Sequence, residues 1–213
     1  MNSKKISALI ALITGSLLLS AIAVLYKVSG SELSVSAIIF NRLWIATVAL
    51  GVWGLLKKLF LDNPDQALTE SVPLRQQLFA FLAAPISFLT YQLLWIYSVQ
   101  ETTVAISTVL HYLMPIYTAI LAWIFFGEKF TQTYWISLGV VIAGILLLGG
   151  KDLQLSFKYI RADFIALLSG VFHAIYLIFS EELSKHLSTF SILFRICITG
   201  SLCSLVILLI RHE

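Results

Sequence analysis

Charge is in short supply in this sequence. Only 12% of its 213 residues are Asp, Glu, Lys or Arg, about half the share an ordinary soluble domain carries. So few charges cannot coat a water-facing globule, which excludes a soluble enzyme and a solvated disordered chain. Cysteine is nearly absent too. The two present, Cys197 and Cys203, sit six residues apart in one apolar run. At helical spacing they point away from each other and cannot form a bridge, so a disulfide scaffold is excluded. There is no HExxH, GxSxG or Walker loop and no pair of intramembrane aspartates, so neither a nucleotide site nor a nucleophile–base pair is legible. The histidines lack cysteine or carboxylate neighbours at ligand spacing, and neither a metal nor any other cofactor is expected. A net charge of only +3 makes no case for nucleic acid as a partner.

What fills the chain instead is apolar: 59% of residues are hydrophobic. They gather in seven runs, Ile6–Tyr26, Leu33–Leu56, Gln76–Gln100, Thr102–Gly127, Phe130–Gly150, Phe164–Ser180 and Leu187–Ile210. Of the 14 basic and 11 acidic residues, only Arg42 and Arg195 fall inside these runs. A helix crosses hydrocarbon with about 20 apolar residues. Hydrocarbon offers no partner to a bare backbone, which leaves helices as the reading of such runs. The alternating ten-residue segments of a membrane barrel are absent. The expected fold is therefore all-α: a polytopic integral membrane bundle of seven transmembrane helices, with the lipid bilayer as its surroundings. The sixth helix is expected to begin nearer Tyr159, and Pro85 is a candidate kink in the third. Lys4, Lys5, Lys57, Lys58, Arg75, Lys129 and Lys185 fall on one side, against Lys27, Lys151, Lys158, Arg161 and Arg211 on the other. That bias predicts a cytoplasmic N-terminus in the cell membrane.

Several intramembrane residues have chemistry beyond packing. Arg42 and Arg195 each lie roughly 12 Å into their spans at about 1.5 Å per residue. A cation there must face a cavity or a partner, or snorkel to the interface. As cavity cations they would attract anionic or zwitterionic solutes. His111 and His173 can carry a proton near neutral pH, or can simply bond neighbouring helices. Tyr91 and Trp95 share a face at i,i+4, and His111, Tyr112 and Pro115 cluster in the fourth span. These are polar-tipped aromatics set away from the interface belts where such rings usually collect. They suggest an aromatic-lined site, with helix packing as the plain alternative. Pro115, read as mid-helix, would delete one backbone bond. Glu128 reads as a cap or salt-bridge partner, with gating second. Gly139, Ala143 and Gly144 form a small-residue face suited to close helix packing or a dimer seam.

The order of motifs resembles the EamA-type members of the drug/metabolite transporter superfamily. Phe40-Asn41-Arg42 with Ala46 is similar to the pattern of that family's second helix. Pro115, then Gly127-Glu128, then Gly139 and Gly144 before Leu146-Leu147-Leu148, is similar to the end of its first repeat. Arg161-Ala162-Asp163-Phe164 resembles the opening of its second. The resemblance implies ten helices in two inverted five-helix repeats. Residues 6–150 would form one repeat and residues 159–213 the first two helices of another. It also implies a carrier, most simply an exporter, that moves small organic solutes such as amino acids or metabolites by alternating access. With seven spans against ten, the expectation extends to a homodimer or to partner helices that complete the bundle. The other expectation is a non-transporting subunit or a truncated fragment.

Overall fold

The computed structural model describes residues 3–60, 74–149 and 159–211. They form eight helices: α1 Ser3–Ser29, α2 Val35–Phe60, α3 Leu74–Glu101, α4 Val104–His111, α5 Met114–Phe126, α6 Gln132–Gly149, α7 Ile160–Ser184 and α8 Thr189–Arg211. Most of the Lys57–Arg75 and Lys151–Asp163 connections lies outside the described residues, as do Gly150 and the last two residues of the chain. Among the described residues six segments are long and apolar enough to cross a membrane, with α4 and α5 counted as one broken crossing over Val104–Phe126. The fifth apolar run of the sequence is the 18-residue α6, about 27 Å long at about 1.5 Å per residue. The all-helical polytopic bundle is as the apolar runs predict.

The most extensive packing is α3 along α7, followed by α2 along α8. In lipid, apolar side chains gain little by leaving hydrocarbon for a helix interface. Association depends instead on close backbone approach and on polar bonds. α7 supplies both. Ala162, Ala166, Gly170 and Ala174 recur every four residues, are all buried, and form one smooth ridge. Ser98 Oγ on α3 donates to the Ala162 carbonyl at 2.9 Å, fixing the two helices in register. Large apolar side chains point outward instead. Leu12, Leu17, Leu18 and Val28 on α1 and Trp123, Phe125 and Phe126 on α5 are all more than half exposed. Against hydrocarbon they need no protein partner.

Pro85 neither shortens nor ends α3, which runs unbroken through it. The real break is in the fourth span, and it corrects the mid-helix placement of Pro115. α4 stops at His111, and Pro115 stands in the first turn of a new helix, α5. Proline suits that position because its missing N–H would have no partner there, and its fixed φ starts a helix. Lacking that N–H, it has nothing to donate to the His111 carbonyl four residues back. The carbonyl lies against Gly170 of α7, where a built Cβ would come within 2.8 Å of it. Only a glycine admits that approach. At its other end α4 is capped by Thr103, whose side chain accepts from Ile106 N–H at 3.2 Å. α5 ends on Gly127 in the left-handed conformation, φ 65°, the usual glycine stop.

Candidate functional site

Five helices bring polar and aromatic side chains to one place. His173 lies 13 residues into the 25-residue α7, about 20 Å from its start at about 1.5 Å per residue, so the site is near the middle of that span. His111, the last residue of α4, is 1% exposed. Its Nε2 lies 3.0 Å from His173 Nδ1, and its Nδ1 lies 2.8 Å from Ser169 Oγ. His111 stands at the end of α4, directly before the break.

Aromatic rings sandwich the histidines. Tyr91 of α3 stacks on His173 at 4.3 Å between centroids and 8° between planes. One helical turn on, Trp95 stacks on His111 at 4.7 Å and 16°. Both are buried, and their i,i+4 spacing lets one helix face hold both imidazoles. Tyr176 lies beside Tyr91 and His173. Tyr112 meets Trp95 and His111 edge-on, while its own side chain is 38% exposed.

A cation sits at the edge of the cluster. Arg42 of α2, half-buried, donates from Nη1 to the Tyr26 hydroxyl of α1. The Tyr26 ring meets Trp95 edge to face at 5.5 Å. Arg42 is thereby linked through Tyr26 and Trp95 to the histidine pair. On the same stretch of α3, Trp95 Nε1, a donor, and Gln92 Oε1, an acceptor, are buried without a partner among the described residues. A buried donor and acceptor left unmade each cost about 1–3 kcal/mol. A small solute with a carboxylate and an amino or hydroxyl group could satisfy both.

Of the residues singled out from sequence, Arg42, Tyr91, Trp95, His111, Tyr112 and His173 converge, and Arg195 does not. Arg195 is on the exposed side of α8, beside Pro85, Leu183, Leu187, Ile192 and Ile196. Six residues into α8 gives depth but not direction. Gly139 and Gly144 have no neighbour within 4 Å of a built Cβ among the described residues, which corrects the expectation that they pack closely inside the bundle. Glu128 is exposed just beyond α5. It is one of the acidic groups that hold Lys185 above the usual lysine range, after the hydrogen bond and charge of Glu182 and the charge of Glu181. Sequence reading missed Tyr26, Ser169 and Tyr176. Ser169 and Tyr176 could have been found by helical spacing, four residues before and three after His173. Tyr26 gave no signal, since it comes from a different helix at the edge of its apolar run.

Residues 6–150 match the EamA-like transporter family. The mouse (Mus musculus) protein solute carrier family 35 member G1 is 28% identical over 151 residues, 66% of this chain and 41% of the mouse protein. The chain therefore spans about two fifths of the length of that curated relative.

Proposed function

Since the chain belongs to the EamA-like transporter family, we propose that it works as a membrane carrier of small organic solutes, amino acids or similar carboxylate-bearing metabolites, rather than as an enzyme. The observation that carries this reading is the convergence of Arg42, Tyr26, Trp95, Tyr91 and the two histidines from five helices at mid-span. Arg42 would hold the carboxylate, and Trp95 Nε1 and Gln92 Oε1 would take its second acceptor and a donor. The stacked rings would flank the apolar part. Burying an arginine in a lipid-facing span costs about 2.5–3.5 kcal/mol, and an anionic group on the solute offsets that cost while it is bound. Alternating exposure of this site fits a span broken at Pro115, since such breaks let helix halves move separately. We further propose a cell-membrane location with the N-terminus inside, and residues 159–213 as the start of a second repeat.

The test is counterflow in proteoliposomes: liposomes loaded with unlabelled amino acids and given a 14C-labelled amino-acid mixture outside. Saturable exchange is expected. Arg42→Ala should raise the half-saturation concentration about tenfold, equivalent to about 1.4 kcal/mol of binding, and Arg195→Ala should leave it unchanged. Equal effects of the two variants would reject a binding role for Arg42. A second reading, that further helices complete the bundle, is favoured by the mostly exposed length of α1 and by the open small-residue face of α6. We propose a second copy of the chain on the α6 face.

A further inference from the structure

We propose that the His111–His173 pair binds a single proton at His173 Nε2, and that this proton moves together with the solute; the second part rests on the carrier reading above. The geometry fixes the tautomers. Ser169 has one hydroxyl hydrogen, and it donates that hydrogen to the Ala166 carbonyl at 2.6 Å. Toward His111, Ser169 Oγ can therefore only accept, so His111 Nδ1 carries the hydrogen. In a neutral ring His111 Nε2 is then the lone pair, and His173 Nδ1 must donate to it across 3.0 Å. The result is a directed chain from His173 to His111 to Ser169 to Ala166 O. Its lone-pair end is His173 Nε2.

An incoming proton has one place to go. Every other nitrogen of the pair already donates, or accepts from its neighbour. A second proton would have to displace the His173 donor from His111 Nε2. It would leave two cations with N–H facing N–H and ring centroids 5.0 Å apart. The pair therefore holds one charge. The ring that takes it, His173, lies flat on Tyr91 at 4.3 Å, the arrangement in which an aromatic face attracts a cation.

The surrounding titratable groups bear on the same point. Tyr91 from α3, Tyr112 from the α4–α5 break and Tyr176 from α7 meet the imidazoles directly. Tyr117 of α5 packs on Gly170. The charge of Arg42 on α2 reaches Tyr91 and Cys197 on α8. Arg42 is the one fixed cation of this set, and its field opposes a second positive charge. A carboxylate bound to Arg42 cancels that field and favours the proton. By linkage the proton favours the carboxylate equally. Solute anion and proton are thus expected to bind as a pair.

The experiment has two arms on the full chain in lipid. Nitrogen-15 histidine NMR in nanodiscs, with peaks assigned from His111→Asn and His173→Asn, is expected to show both rings as neutral Nδ1–H tautomers. With the unlabelled amino-acid mixture present, acidification from about pH 8 to about pH 5 turns one ring of the two, His173, into imidazolium. His173→Asn keeps a donor near the Nδ1 position, has no titratable nitrogen, and should show no imidazolium from the pair. Two independently charging rings, or Nε2–H tautomers, overturn the proton site. In the second arm, proteoliposomes that exchange the 14C amino-acid mixture are given an acid outside. One coupled proton drives accumulation of up to about tenfold for a gradient of one pH unit, and His173→Asn abolishes it. Exchange without acid-driven accumulation overturns the coupling and leaves the carrier reading standing. No exchange at any pH removes the carrier reading and the coupling with it.

Discussion

At the scale of single residues, position along a helix and direction around it make separate contributions. Arg42 and Arg195 have nearly the same depth, yet one meets Tyr26 inside the bundle and the other lies on the exposed side of α8. Gly170 shows the same sensitivity in the core. Its Cα lies against the His111 carbonyl and the Tyr117 ring, and a methyl group would come within 2.8 Å and 3.0 Å of them. The carbonyl is backbone and cannot turn aside. Gly170→Ala is therefore expected to destabilise the protein by about 1–3 kcal/mol, the usual cost of overpacking. It should lower the thermal unfolding midpoint in detergent. Gly144→Ala, made where no described residue lies within 4 Å of the new methyl, should leave the midpoint where it was. An unmoved midpoint in Gly170→Ala would show that α7 stands further from the helix break than so close a contact requires.

At the scale of elements, the interruption between α4 and α5 does most to define the site. It ends a helix at His111 and starts the next at Met114, turning one imidazole toward α7 at a depth where backbone is normally continuous. Pro115 is the chemical cause, because residue 115 has no hydrogen to complete the turn. Pro115→Ala restores that hydrogen and draws the two halves toward one straight helix. The expected outcome is an unfolding midpoint that holds or rises, since alanine is the better helix former, and an exchange rate that falls about tenfold as His111 leaves its partners. Both quantities can be read on the same preparation, by thermal unfolding and by counterflow. Unchanged exchange would mean that the break plays no part in transport.

At the scale of the whole molecule, burial is uneven. α3 keeps 56% of its apolar window buried and α7 33%, while α1 keeps 12%, and Gly139 and Gly144 of α6 meet no neighbour within 4 Å of a built Cβ among the described residues. A small-residue face open to lipid is a surface where another helix can come close. The proposal of a second copy there predicts that Gly139→Cys, in a chain whose Cys197 and Cys203 are replaced by serine, forms a disulfide-linked dimer in native membranes under mild oxidation. Cysteine at Leu202, on the exposed side of α8, should remain monomeric. Equal crosslinking at both positions would point to random collision and sink the seam.

The fold class is legible because water and lipid sort residues by composition alone. Apolar runs longer than about 20 residues admit a single backbone solution in hydrocarbon, a hydrogen-bonded helix. The start of α7 near Tyr159 is readable because the apolar run Phe164–Ser180 is short for a crossing and must extend toward it. The chemistry of the site is legible in part, since i,i+4 spacing along one helix is enough to put Tyr91 beside Trp95. Helical spacing relates residues of one helix and says nothing of how separate helices are rotated against each other. Tyr26 joining Arg42, Ser169 fixing the His111 tautomer, and Arg195 staying outside are all settled by packing between helices. So is the absence of a close neighbour within the chain, among the described residues, at Gly139 and Gly144. Sequence determines which segments lie in the membrane, because that depends on each segment's own contact with solvent. The tertiary structure alone decides which faces meet, because that depends on the shape of backbones and side chains that are far apart in the chain.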